Sequence, residues 1–503
     1  MLAPLSDGVL EHARRRAGAP ALVWRGEPIT YGGLGEMVHR ARAQLESLEL
    51  PEHASVGVPA RKSPQTIALV LACLMARRPV LLPSVDLGPE TLGKLLGQAG
   101  CSHSLSAGED GTVGSAATTG EATRSEDDPT SARSPRPDDV ALMLTTSGST
   151  GVPKIVPLSH GALDRFTAWA AARFDIAAGR TVLNYAPLNF DLCLLDVWTT
   201  LRYGGCVALV DPDRATRPDY LLDLLTSNDV DVVQAVPMLY GLLLDAARDG
   251  ERELPGIEHV LVTGDSFPAR SLAALSDLFP RSRFYNVYGC TETNDSFIHE
   301  IDLACGRPDG RIPIGSPLPG VDAVIVTAED RVVAGPGTGE LLVTTPFQTR
   351  GYLSQPLNDG RFVPHPEGTD ARTYFRTGDI VRRHADGSIT LEGRTDCHVK
   401  VRGIRVNTLA VEQVLLEHDQ VLEAAVVPVP DGLAGHRLHA VARGAETSQL
   451  NSLSLRRHCA RSLNRAAVPS TMEIVTVPLP KTPTGKVDRQ RTIERHPTRR
   501  THD

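Results

Sequence analysis

Thr145-Thr146-Ser147-Gly148-Ser149-Thr150-Gly151-Val152-Pro153-Lys154 is the stretch around which this chain is organised. The apolar run Val140-Ala141-Leu142-Met143-Leu144 before it predicts a buried strand, and the run from Ser159 onward predicts a helix. A glycine-rich loop between a strand and a helix turns its backbone N–H groups towards an anion. Around Gly148 and Gly151, the hydroxyls of Thr146, Ser147, Ser149 and Thr150 add donors, and Lys154 adds a mobile positive charge. The stretch reads as a triphosphate-binding loop; the alternative is a plain flexible loop. It is not a Walker loop, in which the lysine directly follows the last glycine.

The length of 503 residues suggests about three domain-sized units. A composition of 41% hydrophobic and 22% charged residues fits a globular enzyme. The formal net charge of -8 argues against general nucleic-acid binding, and Arg14-Arg15-Arg16 reads as a solvated helix face. No apolar run reaches the ~18 residues that span a bilayer, and the N-terminus lacks the order of a signal peptide. The eight cysteines are scattered without a CxxC pair, and the sixteen histidines show no ligand spacing. Reduced thiols in a cytoplasm, without a structural metal, are expected.

Taken in order, residues 1–50 predict two helical pieces around a hairpin-like stretch, followed by strands alternating with helices. That alternation predicts a parallel sheet covered on both faces. The segment 101–139 is rich in Gly, Ser, Thr, Asp, Glu and Pro and predicts, in part, a mobile surface excursion. Strand and helix alternate again from Thr181 to Val287, with a helix expected over Asp191–Tyr203. Glycine turns and short alternating runs between Gly315 and Arg394 predict antiparallel β structure, and the last ~100 residues a small α+β domain.

Several turns carry chemistry. Asn286-Val287-Tyr288-Gly289-Cys290-Thr291-Glu292 follows a strand end, where ligands bind in open α/β sheets. There Tyr288 is suited to stack on a base, Asn286 to read a base edge, Thr291 to bond a phosphate and Glu292 to hold Mg²⁺. Thr377-Gly378-Asp379 offers a carboxylate for two ribose hydroxyls. Gly393-Arg394-Thr395-Asp396 leads into a half-buried strand with one cationic face. Pro480-Lys481-Thr482-Pro483-Thr484-Gly485-Lys486 presents Lys486 on a constrained loop. Each alone also reads as ordinary turn chemistry or a solvated charge.

These segments, in this order, resemble the adenylate-forming superfamily: acyl-CoA synthetases, luciferases and the adenylation domains of nonribosomal peptide synthetases. The resemblance covers nearly the whole chain. It implies an α/β core domain over 1–395, made of layered αβ sheets and a small β-barrel-like part. A small mobile C-terminal α+β domain over 396–503 completes it, with Asp396 as the hinge. It also implies a two-step reaction with ATP and Mg²⁺: a carboxylate attacks the α-phosphorus, and a thiol then takes the acyl group and releases AMP. Lys486 would bridge carboxylate and phosphate, Glu292 would hold Mg²⁺, Thr291 the phosphates and Asp379 the ribose, assisted by Arg394. Gly403 would line the path of a phosphopantetheine arm.

Asp191, after Phe190, matches the aspartate that amino-acid-activating members set against the substrate's α-amino group; alternatively it caps the following helix. The other pocket positions carry over as Leu192, Leu195, Gln234, Val262, Gly264, Val287, Asp295 and Ser296. The stretch from Asn189 to Trp198 resembles the stand-alone prolyl-AMP ligases, so L-proline is the expected acid. Gln234, Asp295 and Ser296 are more polar than proline needs and admit a polar or β-amino acid. No domain-sized segment follows Lys486, so a separate holo carrier protein is the expected thiol acceptor, with coenzyme A second. The rivals are an acyl- or aryl-CoA ligase and a non-catalytic binding protein on the same fold.

Overall fold

The computed structural model describes residues 5–51, 53–118, 136–146, 153–247, 253–265, 269–302, 312–401, 404–431, 435–445, 448–463, 465, 467–482 and 485–497. The alternation of apolar strands and helices builds a nine-stranded sheet. Its central strands Pro20–Trp24, Cys206–Leu209, Thr181–Asn184, Val232–Ala235, His259–Thr263 and Arg283–Cys290 are parallel neighbours in that order. Runs such as Val232–Ala235 and His259–Thr263 are buried throughout, as a sheet covered on both faces requires. Beyond Arg283–Cys290 the chain turns back antiparallel as Asn294–Ile301.

A six-stranded sheet packs beside it through a shared apolar core. At its edge Lys154–Ser159 pairs antiparallel with Val140–Thr146. The loop 147–152, outside the described residues, therefore joins two strands rather than a strand and a helix. Ile155, Val156 and Leu158 are buried and suit a strand, and Pro157 is tolerated because the strand is an edge. The helix expected from Ser159 onward begins at His160, where the Ser159 side chain accepts a bond from the Ala162 N–H.

The 101–139 expectation needs the same correction. His103–Ala107 and Val113–Ala117 form an antiparallel hairpin that extends the six-stranded sheet. Small side chains suffice there because only Leu105 of the hairpin enters the core. Residues 119–135 lie outside the described part. The helix expected over Asp191–Tyr203 is instead a π-helical turn, Leu194–Thr199, continued by Thr200–Arg202. The Thr199 hydroxyl bonds the Leu194 carbonyl at 2.7 Å, five residues back, which matches the wider turn.

A third, antiparallel sheet is built on Gly337–Thr344 and Thr373–Arg383, with Ile389–Arg394 paired to the latter. After the short turn Thr395–Cys397 a fourth sheet forms around Val421–Asp431 and Gly435–Gly444. The helices Thr408–Leu416 and Ser452–Ser462 contribute Val411, Leu415, Leu455 and Cys459 to a core of its own. Among the described residues no helix is long and apolar enough to cross a membrane.

The C-terminal unit is pinned by one buried ion pair. Glu412 is buried and accepts from Arg489 Nε at 2.7 Å and from the Val426 N–H at 2.8 Å. Glu412→Gln is expected to weaken this unit by about 1.5 kcal/mol, as for loss of a charge-assisted hydrogen bond to a guanidinium that is itself 38% exposed. Hydrogen exchange over Thr408–Leu416 should speed up accordingly; unchanged exchange would refute the assignment.

Candidate active site

A cavity of about 2430 Å³ opens at the carboxyl ends of the parallel strands. It is lined by Thr146, Lys154, Asp191, Asn286, Tyr288, Thr291, Glu292, Asp379, Arg394 and Lys486, among others. Three of the four sheets and the C-terminal lysine loop thus meet at one space.

The turn after Arg283–Cys290 sets its geometry. The hairpin register slips between Tyr288 and Gly289, and a Cβ on Gly289 would lie 2.2 Å from the Asn294 carbonyl oxygen. Only glycine permits that approach. The turn is then clamped from outside: the Thr349 N–H donates to the Glu292 carbonyl at 2.9 Å, and the Thr345 hydroxyl to the Thr293 carbonyl at 2.9 Å. Thr291 is thereby aimed at Asp191, its hydroxyl donating to Oδ2 at 2.8 Å. Burial pushes the Asp191 carboxyl up and the Glu292 charge adds to it, while the Thr291 bond and Lys486 pull it down.

Glu292 is 8% exposed and accepts the Tyr352 hydroxyl proton on Oε1 at 2.5 Å. The Lys154 ammonium sits 4.9 Å from the centre of the Tyr352 ring. One tyrosine therefore connects the loop's lysine with the acidic turn. Sequence reasoning quoted Tyr352 within Arg350-Gly351-Tyr352-Leu353 but gave it no role. Its signal is only its place beside Gly351, whereas the contact depends on tertiary packing. The Thr146 hydroxyl is buried without a partner among the described residues.

Asp379 is held from two sides, by Arg394 Nη1 at 2.7 Å on Oδ1 and by the Tyr288 hydroxyl at 2.5 Å on Oδ2. Burial raises its carboxyl, and the charges and bonds of Arg394 and Tyr288 oppose that rise. Tyr288 thus reaches Asp379 by its hydroxyl, while its ring meets Phe297 edge-on. The Asn286 amide donates to the Pro313 carbonyl at 2.8 Å.

Lys486 comes from the other side of the cavity. Its loop is closed by the Thr482 N–H bonding the Lys486 carbonyl at 2.8 Å. Gly485, at φ +77°, lets the loop press on the core, since a Cβ there would lie 2.8 Å from Val236. The Lys486 side chain is exposed and acts electrostatically on both Asp191 and Asp379.

Of the expected acid-pocket positions, Asp191, Leu192, Gly264, Val287 and Asp295 line the cavity. Leu195, Gln234, Val262 and Ser296 are buried and do not line it. Val262 is turned into the opposite core because residues alternate along its strand. The Ser296 hydroxyl is engaged with Thr293 at 3.0 Å. Ser147, Gly148, Ser149, Thr150, Gly151 and Gly403 lie outside the described residues, and of Asp396 only the backbone, in the turn Thr395–Cys397, is described. A buried lysine was missed. Lys62 lines the cavity and donates to the carbonyls of Asn184 at 3.1 Å and Tyr185 at 2.9 Å, and burial pushes it down to about 8. Nothing in Arg61-Lys62-Ser63-Pro64 distinguishes it from a surface lysine.

Comparison with known proteins agrees with this architecture. Residues 9–353 match the family model described as AMP-binding enzyme, and residues 410–486 that described as AMP-binding enzyme C-terminal domain. An L-proline--[L-prolyl-carrier protein] ligase of Pseudomonas fluorescens is 34% identical over 360 residues, covering 70% of this chain and 68% of the relative. A ligase of the same name from Streptomyces coelicolor is 36% identical over 365 residues, covering 71% and 66%. The matches thus span about two thirds of these relatives. Among solved structures, Klebsiella oxytoca NpsA in complex with 3-hydroxyanthranilyl-AMSN superposes with a TM-score of 0.80 at 24% identity, covering 99% of this chain and 100% of that one.

The site also fixes a pH dependence. Burial, and then the Asp191 charge, push the Asp295 carboxyl up from 3.8 to about 7. A carboxyl raised in the folded state contributes stability that is whole below about pH 4 and lost as pH rises through about 7. Asp295→Asn removes that loss. The variant should melt above the parent at about pH 8, and the gap should narrow steadily towards about pH 4. An equal gap at both pH values would refute the shift.

Proposed function

The chain belongs to the AMP-binding enzyme family, and on that premise we propose that it activates an amino acid with ATP and passes it to a carrier-protein thiol. The observation that carries this reading is the meeting of Asp191, Asp379 and Lys486 on one cavity. An amine-binding carboxylate, a ribose-binding carboxylate and a cation for the reacting centre are what aminoacyl-adenylate formation needs.

The amino acid's ammonium sits on Asp191, a charge-assisted contact in a site screened from water. Its carboxylate attacks the α-phosphorus of ATP, and pyrophosphate leaves. Charge spreads over the phosphate oxygens in that step, and Lys486, with Lys154 and the loop's donors, stabilises it. Asp379, held by Arg394 and Tyr288, keeps acceptor capacity for the ribose hydroxyls. Among the described residues no cluster of three metal-ligating side chains exists. Mg²⁺ binds through one or two carboxylates together with phosphates and water. Glu292 fits that pattern, since Tyr352 engages only its Oε1. There the ion would neutralise phosphate charge.

In the second step a phosphopantetheine thiol of a separate carrier protein attacks the acyl carbon, and AMP leaves. Asp396, in the turn between the third and fourth sheets, is the hinge for the rearrangement between steps. L-Proline is the acid that the names of the relatives bring to this chain. A coenzyme A thioester as sole product would favour the acyl-CoA ligase reading instead.

Pyrophosphate exchange into ATP tests the first step. Lys486→Ala should lower it by ~10²-fold or more, as for loss of one transition-state donor. Asp191→Ala should raise KM for the amino acid far more than KM for ATP. An undiminished exchange rate in Lys486→Ala would sink the assignment of that lysine.

A further inference from the structure

Asp295 lines the cavity beside Asp191, and behind that wall lie further buried oxygens without donors. Asn184 and Gln234 are register partners on adjacent parallel strands, so their side chains stand together on one face of the sheet. That face packs on the π-helical turn Leu194–Thr199, which carries the fully buried Asp196. The Asn184 amide donates to the Ala186 carbonyl at 3.2 Å, to Asp196 Oδ2 at 3.3 Å and to Cys193 Sγ at 3.3 Å. These bonds fix which end of Asn184 is oxygen. Asn184 Oδ1, Asp196 Oδ1, Gln234 Oε1 and Asp295 Oδ2 are all buried without a hydrogen-bond partner among the described residues. The two amide oxygens are acceptors, whereas burial raises the Asp196 carboxyl well above its usual range and leaves it an O–H to donate. Asp295 lines the cavity and is coupled electrostatically to Asp191 on one side and Asp196 on the other.

Buried acceptors are ordinarily satisfied, and one left open on a cavity wall calls for a donor from the ligand. Lys62 does not meet the need, because two of its N–H groups already serve the carbonyls of Asn184 and Tyr185. A proline ring would set its single amine on Asp191 and leave the four oxygens as they are. A hydroxyl would bring one donor and further lone pairs. An ammonium brings three donors and no acceptor, with the charge that neighbouring carboxylates call for.

We propose that this site selects an α-amino acid carrying a second amine on its side chain, with the α-ammonium on Asp191 and the side-chain ammonium on Asp295. Asp196, Gln234 and Asn184 lie behind Asp295 in the core, off the cavity wall. The proposal rests on the adenylation reading and replaces proline as its substrate. The charged group acting on Asp295 is Asp191, and Asp295 in turn acts on Asp196. Because Asp295 titrates near neutrality in their presence, docking of a cation there expels its proton.

The test is pyrophosphate exchange by the full chain with 2,3-diaminopropionate, 2,4-diaminobutyrate, ornithine and lysine, against L-proline, norvaline and norleucine. One diamino acid should exceed proline and its uncharged isostere by ~10²-fold in kcat/KM, the discrimination typical of a site whose polar groups would otherwise stay unpaired. Asp295→Asn should reduce that ratio by at least ~10-fold. Calorimetry in two buffers of different protonation enthalpy should show proton release on binding at about pH 7. If Asp295→Asn does not fold, the comparison of acids by the unaltered protein decides. Equal or better use of proline or norvaline overturns the proposal and leaves adenylation standing. No exchange with any amino acid overturns adenylation and this proposal with it.

Discussion

A buried carboxylate kept between two donors is the constraint on which the site depends. Asp379 and Arg394 are Cα partners on neighbouring strands of the third sheet, and Tyr288 ends a strand of the nine-stranded sheet. Their bonds therefore join two layers at the cavity wall. Burial alone would drive Asp379 towards its neutral form, and a neutral carboxyl would lose part of its acceptor capacity. Arg394 supplies the opposing charge. It stands one residue before the turn Thr395–Cys397, whose far side is tied back by the Asn407 amide on the Arg394 carbonyl at 2.7 Å. The charge that equips the carboxylate and the joint between the domains are thus neighbours in the chain.

The same logic explains why so many acids gather here. Parallel strands end with their carbonyls and following loops on one side, so side chains just past those ends converge. Asp191 and Asp295 do so, and Asp379 meets them from an antiparallel strand of the third sheet. The site offsets the resulting repulsion locally: Thr291 donates to Asp191, Tyr352 to Glu292, and Arg394 and Tyr288 to Asp379. Asp295 alone among these carboxylates has an oxygen that is buried without a donor among the described residues.

Much of this was legible in the sequence where short-range rules suffice. Val232–Ala235 and His259–Thr263 read as buried strands from their apolar runs, and the Tyr288–Glu292 turn from its position after one. The failures lie outside those rules. Lys154–Ser159 and Val113–Ala117 are edge strands, each held by pairing with the strand just before it rather than by a long apolar run of its own. The π-helical turn at Leu194–Thr199 differs from an α-helix by one residue of register, which apolar spacing over six positions does not resolve. Tyr352 and Lys62 act through contacts to residues 60 and more than 120 positions away.

Two of the lysines that face the cavity, Lys62 and Lys486, show how position divides labour between structure and chemistry. Lys62 is buried, directs two donors at backbone carbonyls past the end of Thr181–Asn184, and is weakened as a base-bound cation by desolvation. Such a lysine fixes the strand end from which the Asp191 loop departs, but its donors are committed. Lys486 reaches the same space from a domain with its own core, on a loop that touches the sheet through a glycine. Its ammonium is exposed, so water solvates the charge until a ligand covers it. On the proposed reading, a group that stabilises charge developing only during reaction has to arrive uncommitted. Placing it on a separate domain, rather than in the wall that Lys62 braces, satisfies that condition without leaving a lone buried cation.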